Sequence, residues 1–86
     1  MQITFLQNRL MLLVCNIRNT VFIYFDTIVQ NGTVKITDVS HHVLINQKIS
    51  NSNFVKYELP NYFGKVNVKV NYDGESTSKQ LIISKS

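Results

Sequence analysis

The sequence predicts an all-β protein, an Ig-like antiparallel β-sandwich of seven or eight strands. Across residues 31–85, apolar and polar residues alternate with a period of two, which is typical of strands that bury one face. Turn residues interrupt the alternation roughly every eight to twelve positions, as expected for short strands joined by tight connections. The 86 residues have room for one modest core, so residues 1–86 are predicted to form a single domain.

The first part of the chain contains three predicted strands, which cover residues 2–6, 10–15 and 20–25. The third of these is rich in β-branched and aromatic residues, which favour strands over helices. The second is a continuous apolar run. We therefore expect that strand to be covered on both faces or to lie against a partner.

The Asn31-Gly32 pair predicts a two-residue hairpin, because both residues tolerate the positive φ that such a turn requires. Residues 33–38 follow as a strand that places Val34 and Ile36 on its buried face.

Three further connections divide the rest of the chain into strands. Residues 40–42 form a predicted turn between two strands, and residues 50–53 form the next one. Pro60 ends the strand that follows, because proline cannot continue a central strand. The Asp73-Gly74 pair is a second hairpin signal. The strand before it alternates cleanly, with inward Val66, Val68, Val70 and Tyr72, and the strand after it, over residues 77–84, buries Leu81 and Ile83.

The charge of the chain does not predict a nucleic-acid site, although the formal net charge is +4 and the isoelectric point is about 9.4. Its lysines are spread over the strands without an arginine cluster, which is typical of solvated strand faces. We expect no specific nucleic-acid partner. A weak attraction to an anionic surface remains open as an alternative. The lysines are Lys35, Lys48, Lys56, Lys65, Lys69, Lys79 and Lys85.

The sequence contains no pattern of residues that indicates catalysis, a cofactor or a metal. His41 and His42 are adjacent in a predicted turn and lack further ligands at suitable spacing, so we expect exposed turn histidines. The 3 glycines do not build a phosphate-binding loop, and no nucleophile–base pattern is present. The single Cys15 lies among apolar residues and is predicted to be a buried structural thiol. The chain is therefore predicted not to be an enzyme, with no cofactor.

The longest apolar run, residues 10–15, is far shorter than the roughly 18 residues that a membrane span requires, so no span is predicted.

A protein partner is the predicted ligand. The aromatic residues are too many for each to face a core of this size, and Tyr62-Phe63 lies in the loop after Pro60. We predict partner contacts at Tyr62 and Phe63, and at Leu10 and Leu12 of the apolar run. The alternative for the loop pair is that it closes one end of the sandwich.

From about Asn19 onward, the pattern of strands and turns resembles two groups of small Ig-like sandwiches from Bacteroidetes. The resemblance is carried by residues 34–40 (VKITDVS), 64–70 (GKVNVKV) and 78–83 (SKQLII). One group is the C-terminal sorting domain of type IX secretion, and the other is a short family of gut Bacteroides without an assigned function. His41 and Val66 depart from the pattern, which has glycine and tyrosine there. Such motifs imply a fold and are nearly silent on activity.

Because the sequence shows no catalytic pattern, we expect a non-enzymatic structural protein. A sorting domain is the tail of a larger exported protein, whereas we expect this chain to start at its own Met1, with residues 1–18 outside the resemblance as a docking segment. A separate copy of such a sandwich, with an Asn-, Lys- and Ile-rich composition typical of an AT-rich genome, resembles the small Ig-like domains that phages use on their capsids. The resemblance therefore implies an auxiliary or decoration protein that is bound in many copies to a phage capsid. Its partner would be the major capsid protein or a neighbouring subunit, and its location the virion.

Two alternatives remain. One is a secreted or surface-attached bacterial module of the sorting-domain type, located in the envelope or outside the cell. The other is a carbohydrate-binding module, which requires an exposed coplanar strip of aromatic side chains.

Overall fold

A computed structural model describes residues 12–72 and 74–84, and these residues form seven antiparallel strands and no helix. The predicted all-β sandwich is therefore confirmed. The predicted strand over residues 2–6 lies outside the described residues. The strands are β1 (Leu12–Ile17), β2 (Thr20–Val29), β3 (Gly32–Asp38), β4 (Val43–Ile49), β5 (Ser52–Glu58), β6 (Gly64–Tyr72) and β7 (Glu75–Ile83).

The strands divide into a three-stranded sheet and a four-stranded sheet. The first has the order β1-β2-β5 and the second the order β4-β3-β6-β7. In an immunoglobulin constant domain, the first, second, fifth and fourth strands share one sheet and the other three form the second. Here the fourth strand lies beside the third instead, so the Ig-like order is kept except for one edge strand.

The core lies between the two sheets and is built from alternate residues of the strands, as the period-two pattern predicts. Burial of each large aliphatic side chain contributes roughly 1.5–3 kcal/mol to stability. The inward positions predicted for β6 and β7 are confirmed. They are Val66, Val68, Val70 and Tyr72 in β6, and Leu81 and Ile83 in β7. The buried apolar residues are Val14, Val21, Ile23, Phe25, Val29, Val34, Ile36, Ile49, Leu59, Val66, Val68, Val70, Tyr72, Leu81 and Ile83.

Two short hairpins connect strands that are neighbours in a sheet. Residues 18–19 join β1 to β2, and Arg18 adopts a positive φ of 55° there. Residues 73–74 join β6 to β7, since Tyr72 is directly opposite Glu75, and Gly74 has a φ of 82°. The hairpin predicted at this second position is confirmed, although Asp73 itself lies outside the described residues.

The hairpin predicted at Asn31-Gly32 is wrong. β2 and β3 belong to different sheets, so this connection crosses from one sheet to the other, and neither residue has a positive φ. The glycine is required for space. A Cβ on Gly32 would lie 2.8 Å from the carbonyl oxygen of Asn71 and 3.2 Å from Cγ1 of Val29. The dipeptide correctly located a turn, but it does not determine which strands pair.

Side-chain hydrogen bonds tie β1 to β7 along one side of the sandwich. Lys79 lies opposite Val68 and therefore points inward, where its Nζ donates to the carbonyl oxygen of Val14 at 2.9 Å. Asn16 donates through Nδ2 to the carbonyl oxygen of Ile82 at 2.8 Å. These bonds fix the edge of the three-stranded sheet against the four-stranded sheet, and so fix the outer face of β1.

Candidate interaction surface

The outer face of the three-stranded sheet is apolar, although it points away from the core. Strand register places Leu13, Tyr24 and Phe54 in one row across β1, β2 and β5. Their relative exposures are 55%, 49% and 37%. An apolar row that crosses all three strands is unusual on a sheet whose other face is already buried, because such outer faces are normally polar.

Two further rows complete this surface, and polar residues enter it from the β5 side. In both rows the β5 position is charged, whereas the β1 and β2 positions are apolar or weakly polar. We define the apolar face as Leu13, Cys15, Ile17, Phe22, Tyr24 and Phe54. The second row contains Cys15, Phe22 and Lys56, and the third contains Ile17, Thr20 and Glu58.

Three aromatic rings on the apolar face pack against one another. The ring centroids of Tyr24 and Phe54 are 4.6 Å apart with an interplanar angle of 35°, and those of Phe22 and Phe54 are 6.2 Å apart at 18°. Such pairs contribute about 0.5–1.5 kcal/mol beyond their buried area. Because Tyr24 and Phe54 partly cover each other's ring faces, they differ from the coplanar strip that a carbohydrate-binding module requires.

The apolar face follows from apolar residues at both odd and even positions of the same strands. In β1, Val14 points into the core while Leu13 and Cys15 point outward. In β2, Ile23 is inward and Tyr24 outward. The run at residues 10–15 was expected to be covered on both faces or to lie against a partner, and residues 10–11 lie outside the described residues. The core covers the inward side of β1, whereas Leu13 remains more than half exposed on the outward side.

The residues predicted to bind a partner lie in different environments. Tyr62 is half-buried against the core, and its hydroxyl donates to the carbonyl oxygen of Lys65 at 2.7 Å. Phe63 is 63% exposed. Leu12 packs against the core as a half-buried side chain, and Leu10 lies outside the described residues. Partner binding by these four residues stays a prediction.

Sequence reasoning did not single out Leu13, Tyr24 and Phe54 as a surface. The available signal was the absence of period-two alternation in β1 and in the first half of β2, where aliphatic or aromatic residues occupy consecutive positions. In a strand with one buried face, this pattern indicates that the second face is also apolar.

The two histidines belong to a turn that is organised by Asp38. Its Oδ1 accepts hydrogen bonds from the backbone N–H groups of Ser40 and His42, both at 2.9 Å, and its Oδ2 lies 3.1 Å from Nδ1 of His42. The backbone N–H of His42 is the main cause that lowers the pKa of Asp38 below 3.8. His41 adopts a φ of 68°, and both histidine side chains are exposed as predicted.

Residues 12–72 and 74–84 contain no group of three or more His, Cys, Asp or Glu side chains that could hold a metal ion. The hydrogen bonds of Asp38 to this turn give a structural reason for the position of the two histidines.

Cys15 is half-buried on the apolar face and forms no disulfide. The prediction of a buried thiol was wrong, because it assumed that an apolar neighbourhood in sequence means a core position. β1 alternates its side chains between two faces, and Cys15 is on the outer one, opposite Phe22.

Comparisons with known proteins do not assign a family to this chain. No protein-family model matches the sequence, and no curated protein matches it. Within the described ranges there is no helix of the length and hydrophobicity that crossing a membrane requires. The function is therefore best inferred from the surfaces of the chain itself.

Proposed function

We propose that this protein is a non-enzymatic interaction module that binds a protein partner through the apolar face. The observation that carries this proposal is the exposed row of Leu13, Tyr24 and Phe54 across the three-stranded sheet. Stable protein interfaces combine an apolar centre, rich in aromatic residues, with a polar rim. Lys56 and Glu58 on β5 supply such a rim on one side.

The apolar face is also suited to binding because strand pairing and ring contacts position its side chains before a partner arrives. Its side chains project from paired strands rather than from a loop, and the rings of Tyr24 and Phe54 restrict each other. Less side-chain freedom is therefore lost on binding, which favours affinity. Tyrosine and other large side chains that are held in this way are typical of binding hot spots.

The specific form of the proposal is an auxiliary protein bound in many copies to a phage capsid, with the major capsid protein or a neighbouring subunit as partner. The resemblance to small Ig-like sandwiches supports this form. Chain length supports it too, because a domain of 86 residues buries only about 60–65% of its unfolded surface and gains stability when assembly covers an apolar face.

Quantitative mass spectrometry of purified phage particles tests this form of the proposal. We expect the protein in many copies per particle, together with the major capsid protein. Its absence from particles combined with recovery in the bacterial envelope fraction would contradict the capsid role and favour the alternative, a surface-attached bacterial module.

Variants then test the docking surface on particles that lack the protein. The double substitution Tyr24→Thr and Phe54→Thr keeps strand propensity but removes both rings, and we expect binding to fall by at least about tenfold. Ile82→Thr is the control, since Ile82 is even more exposed than Tyr24 and Phe54 but lies on the four-stranded sheet. Thermal unfolding checks that both variants fold. Unchanged binding by the double variant excludes the apolar face as the docking surface.

A further inference from the structure

A second surface of the molecule has the opposite chemistry. The outer face of the four-stranded sheet carries four exposed lysines, and among the described residues its outward positions hold no aspartate or glutamate. Asp38 and Glu75 lie opposite the buried Val66 and Tyr72, and therefore occupy inward positions of the register. We define the lysine face as Lys35 on β3, Lys48 on β4, and Lys65 and Lys69 on β6.

Two of these lysines are direct cross-strand neighbours. Lys35 is opposite Lys69 in the β3–β6 register. The Cβ atoms of directly opposite residues are about 4.5–5.5 Å apart, and like charges at that distance destabilise a sheet. Neither ammonium group has a carboxylate partner in the part of the chain that the structure describes. The Lys35–Lys69 pair therefore does not stabilise the fold, whereas an anionic ligand would neutralise the two positive charges.

The four lysines follow a diagonal line across three adjacent strands. In spatial order the line runs from Lys48 through Lys35 and Lys69 to Lys65. With about 3.3 Å per residue along a strand and about 4.8 Å between strands, the line is about 20 Å long. Its shape therefore suits an extended polyanion that lies across the sheet, rather than a single small anion.

We propose that the lysine face binds an acidic polysaccharide, a polymer that carries carboxylate or sulfate groups as well as hydroxyls. Amide and hydroxyl side chains fill the positions between the lysines. They can both donate hydrogen bonds to sugar hydroxyl groups and accept hydrogen bonds from them. Asn71 and Thr33 are an example, with Nδ2 and Oγ1 3.3 Å apart. The apolar exceptions, Val43 and Ile82, lie on the edge strands. The polar residues are Thr33, Thr37, Asn46, Asn67, Asn71, Ser76, Ser78 and Gln80.

A cavity at one end of the lysine line supports a sugar ligand. It has a volume of about 360 Å³, and Asn31, Thr33, Lys48 and Asn71 are among its lining residues. Small-molecule sites range from about 300 to 1,000 Å³. Ile49 and Tyr72 add apolar surface to this lining. A mixed lining of apolar side chains with amide, hydroxyl and ammonium groups suits one acidic sugar unit of a longer chain.

Other polyanions fit the lysine face less well. Proteins that bind single-stranded nucleic acid stack bases on aromatic side chains, and the described outward positions of this sheet contain none. Duplex DNA is read by a helix or a two-stranded ribbon that enters a groove, which a four-stranded sheet face does not do. A membrane-binding surface combines basic residues with large apolar side chains that insert, whereas the described exposed apolar side chains at outward positions of this sheet, Val43 and Ile82, lie on its two edge strands.

Binding to heparin fragments, measured by titration calorimetry at low salt, tests this proposal without reference to the docking role of the apolar face. We expect the wild-type protein to bind the fragments and to bind neutral dextran much more weakly. The double substitution Lys35→Gln and Lys69→Gln should weaken heparin binding by at least about tenfold. Arg18→Gln with Lys56→Gln removes the same charge from outside the lysine face, and this control should change the affinity by less than about twofold.

Several outcomes would overturn the proposal. Equal losses in the two double variants mean that only net charge matters. Tighter binding to a duplex DNA oligonucleotide or to phosphatidylserine vesicles than to heparin would assign the face to another class of polyanion. No binding to heparin at low salt also overturns it. Retained heparin binding by the Tyr24→Thr and Phe54→Thr variant supports two independent surfaces.

Discussion

At the scale of single residues, the carboxylate of Asp38 stabilises the turn between β3 and β4. Its Oδ1 accepts hydrogen bonds from the backbone N–H groups of Ser40 and His42, in the turn between β3 and β4. Because the folded state stabilises the ionised form, the pKa of Asp38 is below 3.8. The stabilisation is therefore complete above the unfolded pKa and is lost as the pH falls through the folded value.

Substitution of Asp38 by asparagine should remove this pH dependence. We expect Asp38→Asn to lower the free energy of unfolding at neutral pH, because the charge-assisted hydrogen bonds are weakened. As the pH falls through the lowered pKa of Asp38, the difference from the wild-type protein should shrink, since the wild-type carboxyl becomes protonated there. Urea unfolding at several pH values measures this. Asp26→Asn, at an exposed position of β2, is the control with the same charge change. A difference between Asp38→Asn and the wild-type protein that does not change with pH would refute the assignment.

The Lys35–Lys69 pair leads to a second prediction at this scale. Lys69→Glu converts a like-charge pair into an opposite-charge pair, and we expect it to stabilise the fold by about 0.2–1 kcal/mol at low salt. Urea unfolding measures the gain, and added salt should reduce it. Lys48→Glu is the control because Lys48 is opposite Thr33. If both substitutions have the same effect, the two lysines do not repel each other measurably.

Residue environments were partly predictable from the sequence. The alternation around Val68 and Val34 correctly gave inward and outward positions, because a strand with one polar face leaves only one register that buries its apolar residues. Tyr24 and Phe54 were not predictable as surface residues by the same rule, since Tyr24 lies between Ile23 and Phe25 and Phe54 is followed by Val55. Only the pairing of β1, β2 and β5 shows that they share a row.

At the scale of elements, β1 is an edge strand among the described residues, and side chains form hydrogen bonds between it and the other sheet. Edge strands expose backbone groups that can pair with other chains, and proteins often protect them. Here Lys79 reaches inward from β7 and donates to the carbonyl oxygen of Val14. This lysine was expected on a solvated face, and the register explains its real position, because it lies opposite the buried Val68.

Replacement of Lys79 by methionine tests the importance of this bond. Lys79→Met keeps most of the aliphatic stem but removes the donor, so we expect a loss of about 1–2 kcal/mol in the free energy of unfolding. Hydrogen exchange should show faster opening of β1 than of β6 in this variant. Lys56→Met serves as the control on the other sheet. A stability loss that is no larger than in the control would mean that the bond contributes little.

The connections between elements show why local signals are limited. Asp73-Gly74 and Asn31-Gly32 are both strong hairpin signals, yet only the first joins strands of one sheet. The turn propensity of a dipeptide is a local property. The partner of the following strand is determined by the core, which includes residues that are distant in sequence, such as Val29 and Ile49.

At the scale of the whole molecule, the sandwich presents two chemically different faces on opposite sides. The three-stranded sheet carries the apolar face, and the four-stranded sheet carries the lysine face. The all-β sandwich was predictable because strand alternation and turn spacing both required it. The division into opposite faces was not, because it depends on which strands share a sheet. A spread of lysines along the sequence became a line of charge only after β3, β4 and β6 were paired.

Hydroxyl-radical footprinting tests the central claim most directly, with the protein measured free in solution and bound to purified particles. We predict that oxidation of Leu13, Tyr24 and Phe54 falls strongly on binding, because docking buries the apolar face, while oxidation of Ile82 on the other sheet remains unchanged. Protection of Phe63 with no change at Tyr24 and Phe54 would contradict the account, because the loop after Pro60 would then be the docking surface.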